Sequence, residues 1–280
     1  MKIRTLLTGA LLAGAVCAAA SPAAHAQAPV DAGDFKVEYV TVKKANRPAV
    51  SILRRSGALE SVAAEVNARW ALPRDIPIYV GDELEIGPAF VPDLEYEGEK
   101  ISFINVPGTF LTQALKGMRK SLRGVKGITG AQGMVYANEF IIAHEMGHAM
   151  VHQLDLPVTG REEDAVDGFA AYLLANNPKF GPATALSAAI FFDAYRELRG
   201  KLTDEDFADE HSVLEQRIYQ FICWVYGSDP KEFRSLVGKD GLPRERARRC
   251  PGEWNQLQRS WDRLLAPYVI QPATPATPTR

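Results

Sequence analysis

Apolar residues recur along this chain in two periods. Residues 35–42 alternate, with Phe35, Val37, Tyr39 and Thr41 on one side, which predicts a strand. Residues 58–70 carry Leu59, Val62, Ala63 and Val66 at helical spacing, and Leu72-Pro73 stops that helix. Residues 76–80 and 101–106 are short β-branched runs, read as strands of a small sheet with 101–106 at its edge. Residues 109–122 form a second helix whose stripe is Leu111, Leu115, Met118 and Leu122, and the glycine-rich stretch 124–133 reads as a mobile connection. Beyond Tyr136 the pattern is helical, over roughly 136–154, 162–176, 182–199, 210–226, 230–237 and 251–266. Strands first and helices later predict an α+β fold of segregated elements rather than alternating βαβ units. No internal repeat interrupts this order.

The two ends change the picture. Lys2 and Arg4, an apolar run over residues 6–20 and the small residues of Ala24-His25-Ala26 read as a signal peptide, residues 1–26. No other segment is long and apolar enough to span a bilayer, so the mature chain is expected to be soluble, in a bacterial periplasm or the medium. One domain, residues 27–270, then precedes a Pro/Thr/Ala-rich tail, residues 271–280, expected to be disordered. The chain has 32 basic and 34 acidic residues, and export removes two of the basic ones, which argues against nucleic acid as a partner. Cys17 leaves with the signal, so Cys223 and Cys250 stay as an even pair in an oxidising compartment. A disulfide between them is the economical reading, contributing about 3 kcal/mol in the chain-entropy model; two buried free thiols are the alternative.

The chemistry is concentrated in one helix. His144-Glu145-Met146-Gly147-His148 places two imidazoles one helical turn apart, close enough to share a metal ion. Glu145 lies about 100° round the helix, where it can face the metal's water without binding the metal. Zinc lowers the pKa of bound water, and a carboxylate beside it takes the proton and later passes it to the leaving amine. Phe140, Ile141, Ile142, Met150 and Val151 make this a buried central helix, and Gly147 allows a neighbouring backbone close. Four histidines remain after residue 26, three of them within nine residues. His152 shares the stripe, but it lies about 12 Å along the axis from His144, too far for one tetrahedral ion to be held by all three histidines. It is read as structural or rim-lining.

A catalytic zinc site needs a third protein ligand. Glu163 and Asp167 lie four apart on the next helix; if that face packs on the histidine helix, Glu163 reaches the metal and Asp167 accepts the free N–H of a ligating histidine. Glu162 and Asp164 are expected to face elsewhere, as acids favoured at a helix N-terminus.

With those residues the chain resembles thermolysin-like gluzincins, in which H-E-x-x-H is followed on a later helix by E-x-x-x-D, here Glu163-Asp164-Ala165-Val166-Asp167. The spacer is shorter, and Glu162 stands where those enzymes carry Asn. More closely, the stretch 142–250 resembles a bacterial family of putative metallopeptidases. The matching features are Leu156-Pro157, Gly160-Arg161-Glu162-Glu163, Asp209-Glu210-His211, Arg217, Cys223, Tyr226-Gly227 and Asp229-Pro230. The resemblance implies a zincin-like fold, with a small N-terminal sheet lobe and a mainly helical C-terminal lobe around a zinc cleft, and hydrolase activity. It also implies a role for a downstream histidine oriented by an aspartate, which stabilises the oxyanion in thermolysin-like enzymes. His211, read as opening a helix after Asp206 and Asp209, is the candidate, with Arg217, Tyr219 and Tyr226 as rivals.

The expectation is therefore a secreted Zn²⁺ peptidase acting on a peptide or protein substrate. His144, His148 and Glu163 hold the metal, Glu145 is base and then acid, Asp167 orients a ligand, and strand 101–106 receives the substrate by strand addition. A non-peptide amidase using the same site and a latent zincin-like binding protein are the alternatives. The intact Glu145 speaks against the latter, since a protein that only binds metal needs no base there.

Overall fold

The computed structural model describes residues 30–270 apart from 85, 176, 178, 239 and 240. The expected signal peptide, the first residues after it and the tail lie outside the described residues. Strands β1 (Phe35–Tyr39), β2 (Ile76–Gly81), β3 (Ala89–Tyr96) and β4 (Glu99–Pro107) form one mixed sheet in the order β1-β2-β4-β3. β1, β2 and β4 are parallel, and β3 runs antiparallel to β4. Ile76, Ile78 and Val80 alternate inward along β2 and are fully buried, the period-2 pattern of a strand packed under helices.

Helices α1 (Arg47–Ser56) and α2 (Ala58–Asn67) form the crossover from β1 to the parallel β2. The elements are thus less segregated than their sequence order suggested. The chain then passes over the position of β4, runs out along β3 and returns through a two-residue turn. Glu97 (φ 51°) and Gly98 (φ 83°) both take positive φ there, as a type I′ hairpin requires.

Two of these elements escape a reading by pattern. α1 buries Ala49, Val50 and Leu53 at helical spacing behind Pro48 in its first turn. β3 carries Pro92 and a register shift between Val91 and Leu94, with Asp93 at φ 43°. Such an irregular, proline-bearing strand belongs at a sheet edge. It occupies the edge assigned to residues 101–106, and β4, which contains them, is interior because its Ile104 pairs with β2 and β3 at once.

Helix α3 (Gly108–Ser121) leads to α4 (Gly130–Gln153), the central helix. α4 reaches back into the stretch expected to be a mobile connection. Thr129 caps it, its hydroxyl accepting the Gln132 N–H while the Gln132 side chain accepts the Thr129 N–H. Gly133 is there for packing: a Cβ would lie 2.5 Å from the Leu122 side chain of the preceding segment. α4 is buried on nearly every side, by α2, α3 and β3 and by the helices that follow it.

Those helices are α5 (Glu162–Leu174), α6 (Pro182–Arg199), α7 (Asp204–Ala208), α8 (Leu214–Ser228), α9 (Arg244–Ala247) and α10 (Cys250–Leu265). The helix expected over 210–226 is split. α7 ends at Ala208 and α8 begins at Leu214, so His211 lies in a link and does not open a helix. Of the helix expected at 230–237 only one 3-10 turn forms, Arg234–Leu236. Cys223 of α8 and Cys250 at the start of α10 are bonded, with their Cα atoms 5.2 Å apart, so the free-thiol alternative is set aside. No helix among the described residues is long and apolar enough to cross a membrane.

Candidate metal centre

α5 lies across the C-terminal half of α4 at a contact that only a small residue permits. A Cβ on Gly147 would stand 2.8 Å from Cβ of Val166. That approach turns Glu163 and Asp167 onto the histidines. Glu163 Oε2 lies 3.1 Å from His144 Nε2, and its Oε1 lies 3.2 Å from His148 Nε2. His144 Nδ1–H donates to Asp167 Oδ1 at 2.8 Å. A carboxylate on one ring nitrogen fixes the tautomer and leaves the other nitrogen's lone pair facing the site.

His211 joins the same point from the link between α7 and α8. Its Nε2 is 2.8 Å from Glu163 Oε2, and its Nδ1–H donates to Asp209 Oδ1 at 3.0 Å. The Asp209 carboxylate also accepts the His211 backbone N–H at 2.8 Å, and Arg161 donates to the His211 carbonyl at 3.0 Å, which sets the link's course past the site. Donor atoms of His144, Glu163 and His211 all lie within 4.8 Å of one another.

Electrostatics follow from this crowding. Burial alone would raise the Glu163 carboxyl, but the three imidazoles around it hold it far below the usual carboxylate range. Burial alone would lower His144; the Asp167 and Glu163 carboxylates beside its ring outweigh that and raise it to about 9. His148 is raised against its burial by Glu163 and Glu162, and His211 is raised chiefly by Glu163. Burial pushes Asp167 up, but the Arg217 guanidinium and His144 pull it down.

The residues fit a divalent metal ion. Glu163 Oε2 is buried and takes part in no aligned hydrogen bond, although imidazole nitrogens stand 3.1 and 2.8 Å from it. The imidazoles of His144 and His211 with the Glu163 carboxylate, their ligand atoms within 4.8 Å of one another, are the donor set of a borderline cation.

Three participants lie outside the sequence expectations. Glu162 does not face away: its Oε1 accepts from His148 Nδ1 at 2.7 Å, because the first residue of α5 can swing its long side chain back over the helix end. Phe90 of β3 donates its backbone N–H to Glu145 Oε2 at 2.7 Å, a contact that depends on sheet register and carries no side-chain signature. Arg217, a rival donor to the oxyanion by sequence, is committed elsewhere. Its Nε and a terminal nitrogen both donate to Asp167 at 2.8 Å, and its guanidinium packs 4.2 Å over the Phe192 ring. Asp164 does face away, into a separate cavity behind this ion pair that Tyr219 also lines. Tyr226 packs against the disulfide. His152 lies at the rim, its Nε2 3.4 Å from Asp93 and its ring against Phe90.

A family model matches residues 39–265, a span that contains every residue of this centre. The chain belongs to the putative metallopeptidase family. No curated protein and no solved structure matches it.

Around this candidate centre the surface is concave on both sides. A cavity of about 710 Å³ runs between β3 and the α4–α5 corner, lined by Phe90, His152 and Leu156 besides the centre itself. A smaller one of about 190 Å³ shares His144, Glu145 and His211 and is walled by Phe110, Phe140, Phe191, Phe192 and Tyr195. It continues past Pro88, Phe110 and Tyr195 into a third, which reaches Lys43 and Leu84.

Proposed function

We propose that this protein is an exported, zinc-dependent peptidase of the gluzincin type with a zincin-like fold. His144, His148 and Glu163 hold the ion, and zinc when bound supplies a lowered pKa for water and a polarised scissile carbonyl. The observation that carries the reading is the convergence of two imidazoles on a buried carboxylate from another helix, with Glu145 beside them and outside that set.

Each side chain then has a task. Asp167, neutralised by its two bonds from Arg217, keeps the His144 proton on Nδ1 and the lone pair of Nε2 toward the site. Glu162 does the same for His148. Glu145 Oε2 is positioned by the Phe90 N–H; its carboxylate takes a proton from the attacking water and returns it to the departing amine. His211, its Nδ1 held by Asp209 and its ring lining the same cavities as Glu145, stabilises negative charge on the carbonyl oxygen.

A peptide or protein substrate suits the surroundings. β3 is an edge strand beside the centre, able to accept an extended backbone, and the concave surface continues to either side of Glu145. The aromatic cavity offers room for an apolar side chain. Export is supported by the disulfide and by the amino-terminal pattern of residues 1–26.

Digestion of a peptide library, wild type beside Glu145→Gln, tests this. The variant is expected to retain about one zinc per chain and to lose hydrolysis by about 10²–10⁴-fold, the range for a positioned acid–base group. A fully active Glu145→Gln protein overturns the mechanism, and a wild-type protein without bound metal overturns the reading as a whole.

A further inference from the structure

We propose that His211 is a fourth protein ligand of the resting metal ion, not only a hydrogen-bond donor near it. The inference rests on the metallopeptidase reading and adds to it the composition of the resting site.

Three imidazoles here are built to one plan. Each has Nδ1 on a carboxylate: His144 on Asp167 at 2.8 Å, His148 on Glu162 at 2.7 Å and His211 on Asp209 at 3.0 Å. Each has Nε2 against Glu163, at 3.1, 3.2 and 2.8 Å respectively. With the proton on Nδ1, the Nε2 of each ring is a lone pair. Such a contact is favourable only when a proton or a metal ion is shared between the two atoms, and Glu163 Oε2 makes no aligned hydrogen bond of the kind a shared proton gives. That argument places His144 and His148 on the metal, and it applies unchanged to His211, whose contact is the shortest of the three. Glu163 Oε2, which faces both His144 and His211, is buried with no aligned hydrogen bond to either. An imidazole reserved for an oxyanion would instead keep Nε2 protonated and clear of the ligand carboxylate, about 3 Å from where the charge develops.

The position of His211 in the chain gives this ligand a distinct character. His144 and His148 are fixed on a buried helix, whereas His211 stands on the link between α7 and α8 with its side chain 38% exposed. Four protein donors make a closed site of the structural type, whereas a catalytic site keeps one position open. Release of His211 alone converts the first into the second; the freed Nε2, on taking up a proton from solvent, then stands beside the vacated position as the donor described above.

The test uses the purified protein stripped of metal and reloaded with Co²⁺, with azide as an exogenous ligand followed by visible absorption. In His211→Ala azide is expected to bind at least about tenfold more tightly than in wild type, because the fourth position has been opened. Zinc affinity, measured by competition with a chelator, is expected to fall by about 10–100-fold, the scale on which even the partners of ligating histidines act. A gain in azide binding is not produced by misfolding, and added imidazole should restore the wild-type cobalt spectrum. Equal azide and zinc affinities in the two proteins overturn the proposal while leaving the metallopeptidase reading intact, provided His144→Ala loses the metal. A wild-type protein that takes up neither ion overturns both.

Discussion

The two halves of α4 are the same helix under opposite rules. Its N-terminal half, up to Ala143, is packed by apolar neighbours and carries one buried carboxyl, Glu139, whose partner is the Thr184 hydroxyl at 3.0 Å. Its C-terminal half, from His144 onward, is equally buried but lies among charges: Asp167, Glu163, Glu162 and, behind them, Arg217. Burial therefore does not decide the protonation of a side chain on this helix; its partners do. Glu139 is pushed up by burial to about 7, against the smaller opposing effects of Thr184 and Lys179. Glu163, brought against the other half, is pulled far in the opposite direction by three imidazoles.

The largest way to break this contrast is to remove the cation that braces the charged half. Arg217→Leu leaves Asp167, 3% exposed, without its two guanidinium bonds. The expected loss is about 3–5 kcal/mol, the cost of stranding one member of a buried ion pair. Urea unfolding of wild type and variant measures it; a loss below about 1 kcal/mol would mean that His144 alone suffices to balance Asp167.

Next in size is a change that should help, and only above a certain pH. The folded-state pKa of Glu139 is raised from 4.5 to about 7, so the folded protein binds its proton more tightly than the unfolded chain. That contribution is fully present below pH 4.5 and is lost as pH rises through 7. Glu139→Gln should accordingly be more stable than wild type by about 2–3 kcal/mol at pH 8 and indistinguishable from it near pH 4. Equal stability at both pH values would place Glu139 in the same class as the paired carboxylates of the other half.

The smallest effect sharpens the geometry. Gly147→Ala inserts a methyl where 2.8 Å separates it from Val166, and should cost about 1–3 kcal/mol by overpacking. Because the same contact sets Glu163 against the histidines, metal affinity should fall with stability. If stability falls and metal affinity holds, α5 is positioned by its other contacts.

Much of this was legible beforehand. Two buried-helix histidines four apart with a glutamate between them, and two acids four apart on the next helix, are local patterns. The 3.6-residue period alone puts each pair on one face. The disulfide was legible for a different reason, since the two cysteines among the described residues allow one pairing. β3 was not legible: Pro92 and Asp93 break the alternation that marks a strand, and an edge position tolerates that break. Nor was the N-terminal third of α4, where glycines that read as flexible serve instead as close contacts, Gly130 against Arg119 and Gly133 under Leu122 and Met118.

What the sequence alone determined, then, is the donor inventory: which residue types stand at which helical phase, hence a candidate metal site on α4 and α5 with a glutamate beside it. The tertiary structure decided the rest. It set Glu162 on His148, the Phe90 N–H on Glu145, Arg217 on Asp167, and His211 against the Glu163 carboxylate. Those four depend on where a helix starts, on the register of an edge strand and on the path of a link. Helical phase repeats within a turn and can be read off the chain, whereas contacts across 50 or more residues, such as Phe90–Glu145 and Asp167–Arg217, exist only once the core has fixed which backbones meet.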